Sequence, residues 1–191
     1  RQYLGQLWRD SLVQVCDAAP GGFLVRSDGP VDVSGACDPL REWDLRDNLE
    51  SAGAILFRRF ASNLLGNFEC LPTGLQGSTC PGSQTLFTTP FSLADPVNTP
   101  SGLNVANPLV AKALADAVSD LEGAGIPLDA GLRGWQHETR AGEAIPNHGG
   151  PGTLGVFNAI NVGWDPDAGY PNVDSRCIRG DQCRVVGMKI A

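Results

Sequence analysis

"NPLVAKALADAVSDLEGAG", Asn107–Gly125, carries a complete helix signature. Asn107 stands where a cap is needed, and Pro108 fits the first helical position, where a missing N–H costs nothing. Gly123 or Gly125 supplies the stop. Val110, Leu114, Ala117, Val118 and Leu121 recur at spacings of three and four, so one stripe of this helix must face a core. The rest of the chain has to supply what covers it.

Two further helical stretches lie upstream. "YLGQLWRDSLVQVC", Tyr3–Cys16, places Leu4, Leu7, Trp8, Val13 and Val15 close to a helical stripe. Within "PLREWDLRDNLESAGAILFRRFASNLL", Pro39–Leu65, Ser51 is positioned as an N-cap, and Ile55, Leu56, Phe60, Leu64 and Leu65 line one face of an amphipathic helix. The segment between Cys16 and Cys37 reads as a loop. Residues 68–104 hold five prolines and no sustained period, which predicts a long irregular excursion. From Leu132 the period shifts towards two: "LRGWQHETRA" alternates loosely, while "GTLGVFNAINV" and "CRVVGMKIA" read as β segments. Helices first and strands later give an α+β class. The last apolar run needs a partner strand, and the reading treats residues 1–191 as a single incomplete region of something larger.

Composition narrows the functions. A compact chain of 191 residues buries roughly 70% of its unfolded surface, enough for one core. Fourteen Lys and Arg against 21 Asp and Glu give a formal charge of −7 with no basic stripe, which argues against a nucleic-acid partner. No apolar run approaches the ~20 residues of a membrane span, and "RQYLGQLWRD" lacks a signal-peptide core. The six cysteines fall into sequence-local couples: Cys16 with Cys37, Cys70 with Cys80, Cys177 with Cys183. Six cysteines allow 15 connectivities, and local pairing is the economical one because each couple brackets a turn-rich stretch. No C-x-x-C is present to suggest a zinc site. Disulfides imply a secreted or periplasmic setting.

Motifs for chemistry are sparse. There is no G-x-S-x-G nucleophile elbow. "GGPGTLG", Gly149–Gly155, has the glycines of a phosphate loop but neither the lysine nor a following helix. His148, in "IPNHGGPGTLGVFNA", would need a nucleophile within hydrogen-bond reach to act as a base, and a turn-forming or hydrogen-bonding histidine is the preferred reading. His137 stands eleven residues away, outside any H-E-x-x-H pattern. Asp44 and Asp47 read as helix-start carboxylates. Asp165, Asp167 and Asp174 do not match a calcium loop and read as solvated. Trp8, Trp43, Trp135 and Trp164 sit among apolar neighbours as core or loop anchors.

Four blocks, "WDLRDNLESAGAILFRRF", "TPSGLNVANPLVAKALADAVSDLEGAGIPLDAGL", "IPNHGGPGTLGVFNAI" and "GYPNV", together resemble the later part of the large subunit of penicillin-amidase-type acylases. The likeness is strongest to the branch acting on aculeacin A and acyl-homoserine lactones. The Cys16 and Cys37 couple resembles a cysteine pair of that branch. "LRGWQ" departs from the Trp-Gly of relatives, and "VVGMKIA" ends where relatives run on into further strands. The resemblance implies an N-terminal-nucleophile hydrolase of αββα sandwich fold, of which this chain supplies part. Such a precursor is cut into a small and a large subunit. The new N-terminal serine attacks a linear amide, its α-amine takes the proton, and an asparagine with backbone N–H groups holds the oxyanion.

It further implies that the serine, its neighbouring histidine and the oxyanion asparagine lie upstream of the matched blocks. Arg1 is not a nucleophile, and Asn104, Asn107, Asn147 and Asn158 do not occupy the asparagine's motif. No catalytic, metal or cofactor residue is therefore assigned to this chain. Its implied partners are the remainder of the acylase heterodimer and an acylated small-molecule substrate. The competing expectations are a self-contained, disulfide-stabilised binding module and a non-catalytic structural segment.

Overall fold

The computed structural model describes residues 2–66, 86–140, 143–151, 154–156, 158–164 and 183–190. In chain order these form α1 (Tyr3–Asp17), β1 (Phe23–Arg26), β2 (Gly29–Asp32), α2 (Ser34–Glu42), α3 (Ala54–Gly66), β3 (Phe87–Thr89), β4 (Ser101–Leu103), α4 (Pro108–Gly123), β5 (His137–Arg140), β6 (Glu143–Pro146), β7 (Asn158–Trp164) and β8 (Cys183–Ile190). The class is α+β, with helices packed together and the described strands paired in four two-stranded antiparallel sheets.

α4 forms as its signature requires. The Asn107 side chain accepts a hydrogen bond from the Leu109 N–H at 3.0 Å, and Pro108 opens the helix. Its buried face is wider than the expected stripe, taking in Ala113, Ala115 and Asp116 besides the five residues read from the period. The added breadth comes from contacts with α3 on one side and with β1 and β2 on the other.

α3 differs from its reading as a one-faced amphipathic helix. Ala54 to Ala61, Asn63 and Leu64 are all buried, and Ser62 and Leu65 are half-buried. It is the central helix, enclosed on every side. Phe57 and Ala61 fill the face opposite Ile55 and Leu56, which is the pattern of a helix with no solvent side. Nor does Ser51 cap it. The helix begins three residues later, and the Ser51 hydroxyl instead accepts from the Asn48 N–H at 3.3 Å. What fixes the entry is Gly53, at φ +83°, where a Cβ would lie 2.3 Å from the Pro39 carbonyl oxygen. Only glycine permits that backbone approach.

α1 also turns slightly from its expected stripe. Gly5, Trp8, Leu12 and Cys16 are buried, while Leu4, Leu7, Val13 and Val15 flank them half-buried. Gly5 is the reason: a Cβ there would stand 2.6 Å from the Trp43 ring, so the bare backbone at residue 5 lets that ring in. Trp43 in turn stacks on Phe57 at 4.8 Å, and Trp8 meets Phe60 edge-on at 6.4 Å. Both tryptophans are core anchors, as read.

The stretch between Cys16 and Cys37 is more ordered than a loop. After a 3-10 turn at Pro20–Gly22, β1 and β2 make a hairpin in which Arg26 faces Gly29 across Ser27 and Asp28. Leu24 and Val31 turn towards the core, and Arg26 Nε reaches the Asp116 carboxylate of α4 at 3.0 Å. Cys16 and Cys37 are joined, with Cα atoms 5.5 Å apart, so α1 and α2 are tied across the hairpin. Asp32 accepts from both the hydroxyl and the N–H of Ser34 at the start of α2. Those bonds hold its carboxyl below the ordinary 3.8, so their support is present above that value and is lost as pH falls through the lowered one. Cys70, Cys80 and Cys177 lie outside the described residues, and the side chain of Cys183 is likewise outside the description.

Of the excursion expected over 68–104, residues 68–85 lie outside the described residues, while β3 pairs with β4 and so gives the end of the stretch a regular element. The terminal β segment finds its partner within the chain. β7 and β8 pair from Asn158 opposite Ile190 to Trp164 opposite Cys183, with an irregularity between Asn161 and Val162.

Replacing Cys16 and Cys37 together with serine releases the 21-residue tie between α1 and α2. Urea unfolding is expected to report a loss of about 2–4 kcal/mol.

Candidate functional site

The glycine bend after β6 is held from beneath by a buried polar junction. Gln136 is fully buried, just before β5, and its Nε2 donates to the carbonyls of Asn147 at 2.8 Å and Gly149 at 3.0 Å. Its Oε1 accepts from Arg58 Nη1 of α3 at 2.8 Å, and the same nitrogen donates to the Gly149 carbonyl at 3.3 Å. The Asn147 N–H closes back onto the Gln136 carbonyl at 3.0 Å.

On the other side, the Gly149 N–H donates to the Asp47 carbonyl at 2.8 Å. The Asp47 carboxylate, itself buried, accepts from Gln2 Nε2 at 3.0 and 3.2 Å. Gly149 sits at φ +111°, a value that favours glycine, and a Cβ on Gly150 would come within 3.2 Å of the Asp47 carboxyl carbon. The two glycines are therefore required by conformation and by close approach. Between this clamp and the solvent stands His148, exposed.

A second buried charge lies one position along α3. Arg59 donates through Nε and Nη2 to one Asp120 oxygen of α4, at 2.8 and 2.6 Å, and Asn63 donates to the same oxygen at 3.1 Å. Asp116 completes the set, held between Arg26 and Lys112. Each carboxylate in these groups faces a cation or an amide donor, so the arrangement fixes geometry and is suited to support more than to proton transfer. Among the described residues, no group of three His, Cys, Asp or Glu is placed to hold a metal ion.

The structure separates the residues singled out from sequence. Asp44 is exposed and accepts from the Arg46 N–H at 3.0 Å, closing a local turn. Neither Asp44 nor Asp47 caps a helix, because α3 starts at Ala54, well beyond them. Asn107 caps α4, Asn104 accepts from the Ala106 N–H, and Asn147 belongs to the clamped bend. Asn158 opens β7, and His137 lies in β5. Trp135 is half-buried against the core. Asp165, Asp167 and Asp174 lie outside the described residues.

Arg58, Arg59, Gln136 and Gln2 were missed from sequence. For the arginines a signal existed: "FRRF" sits in a helix whose apolar residues occupy every face, so neither charge had a solvent side to occupy. For the glutamines there was none.

The sequence profile of the penicillin amidase family matches residues 2–188, and the chain belongs to that family. It is 35% identical to aculeacin-A acylase of Actinoplanes utahensis over 178 residues, which cover 91% of this chain and 19% of that protein. It is 34% identical over 130 residues to the acyl-homoserine lactone acylase PvdQ of Pseudomonas syringae pv. syringae, covering 66% of this chain and 15% of that enzyme. A third relative, PvdQ of Pseudomonas savastanoi pv. phaseolicola, is 31% identical over 83% of this chain and 18% of its own length. The chain thus spans about a fifth or less of the length of these relatives.

Substituting Gln136 by Leu removes one acceptor of Arg58 and both hydrogen bonds that Nε2 donates to the bend. The expected cost is about 1–3 kcal/mol in denaturant unfolding, because buried groups lose their partners. Faster amide hydrogen exchange at Gly149 than at α4 core positions would show that the bend, and not the whole fold, has loosened.

Proposed function

We propose that this chain is the scaffold part of a secreted acylase that hydrolyses a linear amide bond. The observation that carries the reading is the family match over residues 2–188, which runs through α1–α4, the clamped bend and both C-terminal strands. The substrate class is an amide-linked acyl chain on a lipopeptide, a β-lactam or a homoserine lactone. The names of the relatives, aculeacin-A acylase and acyl-homoserine lactone acylase, support the first and last of these. The Cys16–Cys37 disulfide supports an oxidising compartment. Among the described residues no helix is long and apolar enough to cross a membrane.

In this reading residues 1–191 are one incomplete region of the large subunit, and the strands described here join a larger αββα sandwich. The nucleophile is an N-terminal serine outside this chain. It adds to the amide carbonyl, its α-amine accepts the hydroxyl proton, and that proton leaves with the amine product. Water then hydrolyses the acyl-enzyme. The contribution of this chain is positional. Arg58, Gln136 and Asp47 hold the bend at 147–150, and Arg59 with Asp120 holds α3 against α4.

One observation favours the competing reading of a self-contained module: β8 pairs with β7 inside the chain. Chromogenic acyl-amide hydrolysis separates the two. The parent polypeptide is expected to turn over substrate and residues 1–191 alone are not. Turnover by the isolated chain would place the chemistry here and defeat the reading, and an inactive parent would favour the module. In the parent, His148→Asn is expected to leave kcat/KM within about tenfold, whereas loss of a general base costs on the order of 10²–10⁴-fold.

A further inference from the structure

The loop between β3 and β4, residues 90–100, is built with its polar groups turned on one another and its apolar groups turned out. The Ser92 N–H donates to Thr99 Oγ1 at 2.8 Å, and Thr99 Oγ1 donates to the Asp95 carbonyl at 2.6 Å. Asn98 Nδ2 donates to the Asp95 carboxylate at 2.9 Å, which engages the one charged side chain the loop possesses. The loop therefore holds a definite shape. On that shape Phe91, Leu93 and Val97 are 58%, 87% and 88% exposed.

A single exposed apolar side chain needs no explanation. Three within seven positions, on a loop whose hydrogen bonds are spent internally, reverse the usual arrangement of a solvated connection. We infer that this loop is a docking surface for the remainder of the acylase polypeptide, an inference that rests on the reading of this chain as part of a larger acylase.

Two observations select that occupant. The family match runs through the loop, while the chain spans only 19%, 15% and 18% of the relatives compared. In those relatives most of the polypeptide lies outside the matched region and is available to cover the surface. The chemistry of the loop points the same way: its one charge, Asp95, is engaged by Asn98, and a patch dominated by apolar side chains matches permanent interfaces, which resemble a core cut in half. A preformed apolar knob also loses little entropy on docking.

The experiment is radical footprinting by mass spectrometry on the parent polypeptide, native and urea-unfolded, with acyl-amide turnover measured on the same sample. Labelling of Phe91, Leu93 and Val97 is expected to fall in the native parent to the level of the core residues Leu56 and Leu114. Labelling that matches the unfolded sample overturns the inference, and so does protection that vanishes on dilution, which would mark a second copy as the occupant. A parent that hydrolyses acyl amides while leaving the loop fully labelled defeats the docking surface alone. A parent with a protected loop and no turnover supports the docking surface and defeats the acylase reading.

Discussion

The enclosure of α3 is the constraint on which the other packing depends. A helix with no solvent face must satisfy every polar group it carries from its neighbours, and this one carries two adjacent guanidinium groups, each 2% exposed. An unpaired charge in that position is costly enough to exclude the fold, so both must be met. Arg59 is met by Asp120 and thereby sets how α4 lies along α3. Arg58 is met from a different direction, by Gln136 and the Gly149 carbonyl, and thereby draws in a segment about 80–90 positions away in sequence. Consecutive residues on a helix point about 100° apart, so two adjacent arginines can organise two different sides of the same core.

The packing around α3 relies on absent side chains as much as on present ones. Gly5 admits the Trp43 ring, Gly53 admits the Pro39 carbonyl, and Gly150 lies against Asp47. Trp43 then stacks on Phe57, so the irregular segment between α2 and α3 is anchored at its start by an aromatic contact and at its end by a backbone contact. This is why residues 43–53, which have no regular secondary structure, still deliver Asp47 to the bend at Gly149.

What was legible in the sequence follows from the range of the interactions involved. α4 was readable almost whole because its cap, its first-turn proline and its stripe are local features. The α+β class and the two C-terminal β segments were readable for the same reason, although the first strand begins at Asn158 and not at Gly152. The β1–β2 hairpin was hidden because "FLVR" and "GPVD" are short and lack clean alternation, and its turn of Ser27 and Asp28 is not a strong hairpin signal. α3 was misread because a stripe was sought where all faces were apolar. The junction around Gln136 could not be read at all, since it joins residues from four separate places in the chain. The family blocks carried its outline without its geometry.

The interior and the surface of the chain treat their side chains differently. Inside, its buried charges are met by donors and acceptors of its own, including those at Asp47, Asp116 and Asp120. Outside, apolar groups are also presented: besides Phe91, Leu93 and Val97 of the loop at 90–100, the outer face of the β1–β2 hairpin carries Phe23, Val25 and Pro30 beside the charged Asp32, while Leu24 and Val31 pack inward. Under the proposed reading, a polar network that fixes internal geometry, joined to apolar groups at the surface, suits a segment whose shape is set by its own contacts and whose stability the rest of an acylase completes.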